Sequence, residues 1–339
     1  NRVPRQLIAI NRLIIENRAD ISIPRGEITM SSGSRQITQV SKETVRGVTP
    51  DPFDRVALPF TENSLDAAVN KEDSATILSS RLAQSGAITT IDYTGDISAE
   101  FRYGIYDELI AGAAYNTWTA DSPAVGTDTL TFGGNFAQSF SVLRGSADIN
   151  NYHVFRGMHV NTFNLTIGVE SIATATFGMI GMGRESAAIL PSGDVTEPTL
   201  TPVISGISVD DITIDGVTQV GVACITDFEF NWDNTAEVQR CLGGEGSVGA
   251  VIATLADGTG SFTMAWSANG AVNYEKQFTG ETIAISVSMK DSLGNAYVLT
   301  LPKVEITASL PSGGNADILQ ADFEYRVVEQ APTLTRKAA

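Results

Sequence analysis

The sequence predicts an all-β protein with one short helix in each of two tandem repeats, each repeat a β-sandwich or partly open barrel. Three observations predict it. Apolar and polar residues alternate over many short segments, the period of a half-buried strand. Gly is plentiful at 31 in 339 residues, and Thr, Ser and Val are frequent, which favours strands and turns over long helices. One β unit also occurs twice, offset by about 145 residues.

The recurrence is explicit in the residues. Ser141-Val142, Tyr152-His153-Val154, Val160 and Ile172-Ala173-Thr174-Ala175-Thr176-Phe177 return as Ser286-Val287, Tyr297-Val298-Leu299, Val304 and Ile318-Leu319-Gln320-Ala321-Asp322-Phe323. The closing Ile-x-x-Ala-x-Phe pattern is identical in both. A chain of 339 residues accommodates two domains, each with a full core. The expected division is an N-terminal arm over 1–39, a first β repeat over 40–185, a linker over 186–203, a second repeat over 204–330 and a loose tail over 331–339.

Residues 5–17 carry Leu7, Ile10 and Ile14 at helical spacing. Asp20-Ile21-Ser22-Ile23-Pro24 alternates like an edge strand stopped by proline. Residues 26–46 read as an arm, and Gly47-Val48-Thr49-Pro50-Asp51-Pro52 as a turn. Residues 56–83 keep no period and read as a long loop inside the first repeat, a place for partner contact. Strands are expected at 88–93 and 96–103. A helix follows over 106–115, with Asp107 and Glu108 in its first turn, where carboxylates favour the helix dipole. Further strands are expected near 128–133, 138–144, 152–167 and 171–180.

Prolines and polar residues make 186–203 the linker. In the second repeat Asp215-Gly216 and Asp257-Gly258 read as hairpin turns. Residues 224–232 alternate as a strand. Residues 234–243 read as a helix capped by Asn234 and closed by Gly243. Strands over 250–255, 260–266, 281–289, 296–309 and 317–328 complete the repeat, with a turn at 290–295.

Charge is uneven. Residues 1–46 hold eight of the 22 basic and four of the 39 acidic side chains, so the arm is +4 and the rest −21 within a net −17. An acidic body argues against a phosphate-gripping surface. The basic arm suits a neighbour's acidic body. Negative charge for solubility explains the imbalance equally well. Leu7-Ile8-Ala9-Ile10 is cut by Asn11-Arg12, so no secretory core or membrane-spanning segment forms there. Cys224 and Cys241 lack metal-ligand spacing and are expected as buried thiols of a protein made in a reducing cytoplasm, with a single disulfide as the alternative.

Enzymatic chemistry finds little support, and no catalytic, cofactor-binding or metal-ligating residue is assigned. His153 and His159 lie six apart in one strand, on one face, and are expected as surface or interface histidines. Gly244-Glu245-Gly246-Ser247-Val248-Gly249 has the letters of a dinucleotide loop, but the flanking elements are in the wrong order, so it reads as a plain loop. Asp210, Asp211, Asp215, Asp291 and Asn295 read as turn residues, without the ligand spacing of a calcium loop. Asp107 and Glu108 beside Tyr103 and Tyr106 read as a helix N-terminus rather than an acid/base pair. Asn164-Leu165-Thr166 is a glycosylation triplet by letter alone.

Glu43, then Gly47-Val48-Thr49-Pro50, then Gly95-Asp96-Ile97-Ser98-Ala99-Glu100-Phe101-Arg102-Tyr103-Gly104-Ile105-Tyr106-Asp107-Glu108-Leu109, resembles the major tail tube proteins of long-tailed bacteriophages. The later stretch Phe140-Ser141-Val142-Leu143-Arg144-Gly145 through Tyr152, Phe155-Arg156-Gly157-Met158, Val160 and Asn161 is similar to that family too. The resemblance covers about residues 40–330; residues 1–39 depart from it and read as an extension. It implies a structural virion protein, assembled in the host cytoplasm, whose rings stack into a tail tube that conducts DNA without specific binding and meets other tail proteins at its ends. Sheets would join edge to edge around the lumen. A duplicated subunit implies a trimeric ring with pseudo-sixfold symmetry, a hexamer being the alternative. An acidic lining would offer DNA no sticking sites. Residues 56–83 and the basic arm are candidates for ring-to-ring contact. The competing class is an adhesive or decoration β-sandwich that binds a surface ligand.

Overall fold

A computed structural model describes residues 30–77, 82–243 and 248–339. The helical spacing at 5–17, the edge strand at 20–24 and most of the basic arm lie outside the described residues, as does the start of the Gly244 loop.

The described residues are mostly β, with two short α-helices among them. The strands are β1 (Gln36–Lys42), β2 (Arg55–Ala57), β3 (Glu62–Asn63), β4 (Asp66–Ser74), β5 (Gln84–Glu100), β6 (Thr127–Thr131), β7 (Phe140–Ser146), β8 (Asn151–Gly168), β9 (Thr174–Gly181), β10 (Gly183–Ala187), β11 (Val195–Thr196), β12 (Val209–Ile214), β13 (Val217–Thr218), β14 (Ile225–Asp233), β15 (Glu237–Arg240), β16 (Val248–Ile252), β17 (Asp257–Ala265), β18 (Ile283–Lys290), β19 (Ala296–Ala308), β20 (Gln320–Val327) and β21 (Thr333–Lys337). The helices are α1 (Asp107–Ala114) and α2 (Ala268–Thr279).

A front sheet runs β3/β4, β5, β9, the C-terminal half of β8, β14, β17, β20 and the C-terminal half of β19, all antiparallel. The N-terminal halves of β8 and β19 leave it to join two back sheets. One runs β2, β1, β7, β8, β10, and the other β12, β18, β19, β21, β6. Each half of the chain thus threads its strands in the same pairing order. One hydrophobic core lies between the sheets and draws on both halves, from Ile97, Phe163 and Phe177 to Phe230, Phe262 and Phe323.

β8 turns from back sheet to front sheet at Gly157, whose φ of +62° is open to glycine and costly for other residues. The ladder to β7 shifts register between Phe140 and Val142 at the same place. That bend also redirects side chains. His159 is wholly buried while His153 is half-buried, so the expected pair of surface histidines on one strand face is corrected.

The expected first helix is α1, buried on every side except Glu108. The expected second helix at 234–243 is corrected: Glu237–Arg240 is strand β15, hairpinned with β16. Asn234 has the look of a helix cap, but its side chain instead donates to the carbonyls of Ala113 (2.8 Å), Val160 and Asn161 (3.2 Å each). The second helix is α2. Ser267 Oγ accepts from the Gly270 N–H at 3.2 Å, and Gly280 closes the helix at φ +69°.

Four further expectations change. Residues 66–74 are strand β4, paired with β5 along its length, rather than loop. Asp257-Gly258 lies inside β17, while Asp215-Gly216 does form a tight turn with both φ positive. The expected loose tail is β21, held between β19 and β6. Cys224 and Cys241 are both free and exposed, not buried.

Candidate functional site

Alternation gives the front sheet two unlike faces. One points Ile97, Leu165, Phe177, Phe230, Met264 and Phe323 into the core. The opposite face carries Thr, Ser, Asn and acids. One row crosses the sheet through successive cross-strand partners: Glu100, Thr174, Thr166, Glu229, Ser261, Glu324 and Thr307. At a strand spacing of about 4.8 Å, its carboxylates stand about 14 and 10 Å apart. That is about a Debye length at physiological salt, so their mutual repulsion is weak.

The next row holds Ser98, Thr176, Asn164, Asn231, Thr259, Arg326 and Glu305. Beyond it lie Asp96, Thr162, Asp233 and Asp257. The like-charged neighbours Asp233 and Asp257 are each compensated. The Thr235 N–H donates to Asp233 at 2.7 Å, and Arg326 Nε donates to Asp257 at 2.9 Å. Three described bases on or beside this face are matched with acids: Arg102 with Glu100 (3.0 Å), Lys303 with Glu329 (2.5 Å) and Arg326 with Asp257; Lys71 on β4 has no such partner among the described residues. Asp227, Glu229, Glu305, Asp322 and Glu324 lack such a counter-ion among the described residues. The face therefore presents net negative charge.

The sheet ends in two edges at which no described strand pairs, the outer margin of β3/β4 and the outer margin of β19 near Ala308. Side chains hold the outward backbone groups there. The Leu65 N–H donates to Asn63 Oδ1 at 3.0 Å, and the Arg144 guanidinium donates to the Leu65 carbonyl. On the other margin the Ala308 N–H donates to Gln277 Oε1 at 3.2 Å. Such substitutes mask a pairing edge in a single chain.

Behind the sheet, the residues of the Glu43-to-Pro50 pattern have a structural task. The buried Glu43 carboxylate accepts from Ser141 Oγ (2.7 Å), the Gly157 N–H (2.8 Å) and the Gly47 N–H (2.7 Å), pinning the turn to β7 and to the bend of β8. His159 sits beside it. Burial pushes its pKa down to about 4; the Gly157 carbonyl, 2.9 Å from Nδ1, works against this. An unfolded chain takes up that proton near pH 6.5, so the stability His159 confers is present above pH 6.5 and lost as pH falls toward 4, up to about 3 kcal/mol. Urea titrations between pH 7 and 4 are expected to show this slope, and His159→Gln to reduce it; an equal slope in both would refute the assignment.

Asp107 lies at the first turn of α1 but faces inward. Tyr297 Oη and Arg336 donate to its two carboxylate oxygens, Arg336 also reaches Asp128 at 2.9 Å, and the guanidinium stacks 4.4 Å above the Trp118 ring. Burial lifts the Asp107 carboxyl above its ordinary range, with Tyr297 and Arg336 opposing. The network ties the first half of the chain to β19 and β21 and is structural. Asp215 and Asp291 serve their turns by accepting backbone N–H bonds from Ala284 and from Leu293 and Asn295. Among the described residues no cluster of three or more His, Cys, Asp or Glu has a metal-binding arrangement, and no helix is long and apolar enough to cross a membrane.

The two edges and the acidic face were not legible as a site in the sequence. Alternation marked which residues share a face, but not which strands lie side by side. Compared with known proteins, residues 33–327 match the family model described as phage tail tube protein. No curated protein matches the chain.

Proposed function

Because the chain belongs to the phage tail tube protein family, we propose that it is a structural subunit whose copies join by their front-sheet edges into rings, and that the rings stack into a tube for DNA. One observation carries this reading: a sheet with a packed back, an acidic front and two edges masked by side chains. Closing such sheets edge to edge puts the acidic face on the lumen and removes both edges.

Ring size follows from strand count. Each chain contributes eight front strands. At about 4.8 Å per strand, three chains give a circumference of about 115 Å and a backbone diameter of about 37 Å, wider still with strand tilt. Lining side chains leave about 25 Å, enough for duplex DNA about 20 Å across. Two chains would leave too little room, and six would leave a lumen of about 60 Å, about three times the duplex width. The strand count supports a trimer with pseudo-sixfold character over the hexameric alternative. We read 40–185 and 204–330 as the two copies of one unit behind it; the matched pairing order and the repeated Ile-x-x-Ala-x-Phe support that.

The lumen works by lacking grip. Counterion release makes each phosphate–cation contact favourable, so a cationic wall would retain the genome. Here Arg102, Lys303 and Arg326 are each matched with an acid. The β4–β5 and β15–β16 hairpins stand side by side, joined by Arg240 and Asp92, and serve ring stacking. The location is the virion tail, after assembly in the host cytoplasm.

Electron microscopy of the purified chain should show hollow tubes with a threefold ring; a chain that stays monomeric at high concentration would refute the reading. In assembled tubes, Glu229→Lys with Glu324→Lys should create salt-sensitive retention of duplex DNA that the parent tube lacks. Equal retention by both would remove the electrostatic part.

A further inference from the structure

The junction between the two halves of one chain is a template for the junction between chains. Within the chain, β14 lies on β8 with Phe230 opposite Leu165, Asn231 opposite Asn164 and Trp232 opposite Phe163. The ladders fix which residues of the open edges occupy the same places. Phe177 pairs with Phe163 and Phe323 with Ala308, so Ala308 stands where Phe163 stands and Leu310 where Leu165 stands. On the other side Ile97 pairs with Phe177 and Phe262 with Phe323. Ile97 faces Asn63 while Phe262 faces Phe228, so Asn63 stands for Phe228 and Leu65 for Phe230.

We infer that the ring closes in one register, with Leu310 of one chain opposite Leu65 of the next, Ser309 opposite Asp66 and Ala308 opposite Ala67, and that residues 309–310 become strand as it closes. The inference rests on the ring reading above and adds the pairing to it.

Three independent observations fit this register. The first is backbone phase. Leu65 turns its N–H and carbonyl outward, to Asn63 and Arg144, while the Ser64 N–H turns inward to the Asp96 carbonyl. Ala308 likewise turns its N–H away from β20, to Gln277. In this register outward-facing residues meet outward-facing residues, and a slip of one residue would set outward against inward. The second is Pro311, which falls on the inward set, so its missing N–H removes nothing from the contact between chains. The third is Leu310, 61% exposed in the single chain, whereas its counterpart Leu165 is buried. The glycines agree: the partner of Phe230 is Gly260, and the same ladder sets Gly95 beside Leu65, where a Cβ would lie 2.6 Å from the Leu65 backbone.

Asp66 and Ser309 would form a pair without mutual hydrogen bonds, the closest approach of side chains in an antiparallel ladder. The test is therefore Asp66→Cys with Ser309→Cys in a Cys224→Ser, Cys241→Ser background, oxidised mildly after tubes have formed. Most of the chain should become covalently linked between subunits, with no species larger than one ring. The displaced pair Asp66→Cys with Thr307→Cys should link at least tenfold less. Leu310→Asp should leave the denaturation midpoint of the unassembled chain unchanged and abolish tubes. If tubes form and the designed pair does not link, or the displaced pair links as well, the register is wrong while the ring stands. If the background chain makes no ring at all, the functional reading falls and this inference with it.

Discussion

Replacing Phe163 by alanine is expected to destabilise the protein by about 3–5 kcal/mol, the range for removing a buried phenylalanine ring. Phe163 is stacked on Phe177 with ring centroids 5.4 Å apart, lies 6.3 Å from both Phe132 and Phe230, and is buried. These rings come from β9, from the residue after β6 and from β14, so they span both halves beside the ladder that β8 and β14 share. The cavity has no flexible neighbour to fill it, because aromatic side chains bounded by sheet backbone repack poorly. Urea unfolding should show a lower midpoint at unchanged slope. A loss under about 1 kcal/mol would mean that the two halves are held by the ladder alone.

Asp107→Ala should cost about 2–4 kcal/mol, since it removes a partner from the buried Tyr297 hydroxyl and from the half-buried Arg336 guanidinium at once. Tyr297 is wholly buried between Phe101 and Tyr103, at 5.3 and 5.0 Å, and its hydroxyl would keep only the Gly104 N–H as a partner. Arg336 would keep Asp128 and the Trp118 face, and its partial exposure holds the figure below that of a fully buried pair. Tyr297→Phe alone should cost about 1 kcal/mol, and the double variant less than the sum, because both remove the same bond. Trypsin reports the consequence: loosening β21 should speed cleavage after Arg336. Strict additivity, or unchanged cleavage, would show that the network does not couple α1 to the C-terminal strand.

Several elements were plain in the residues. The polar–apolar alternation of 224–232 needed no neighbour to read as a strand, and Asp107 with Glu108 marked the start of α1. Asp215-Gly216 made its turn because both residues tolerate positive φ. Other elements were hidden for identifiable reasons. β4 reads as loop because nearly all its side chains are exposed, so it leaves no apolar period. α2 buries only Gly270 and Asn273, so it too has no apolar stripe, and its only signals were Ser267 and Gly280 at its ends. Asn234 misled because a helix cap and a buried tertiary hydrogen-bond donor have the same local residue type.

The sequence alone determined the β class, the first helix and the resemblance to tail tube proteins, since these depend on local period, turn chemistry and motif order. Only the tertiary structure decided which strands are neighbours, and so that the acids of β5, β14 and β20 share one face. It also decided that β21 is bound between the halves and that the outward backbone of Leu65 and Ala308 is held by side chains. Period 2 assigns a residue to a side of its strand; the sheet partner, set by contacts far apart in the chain, determines what that side faces.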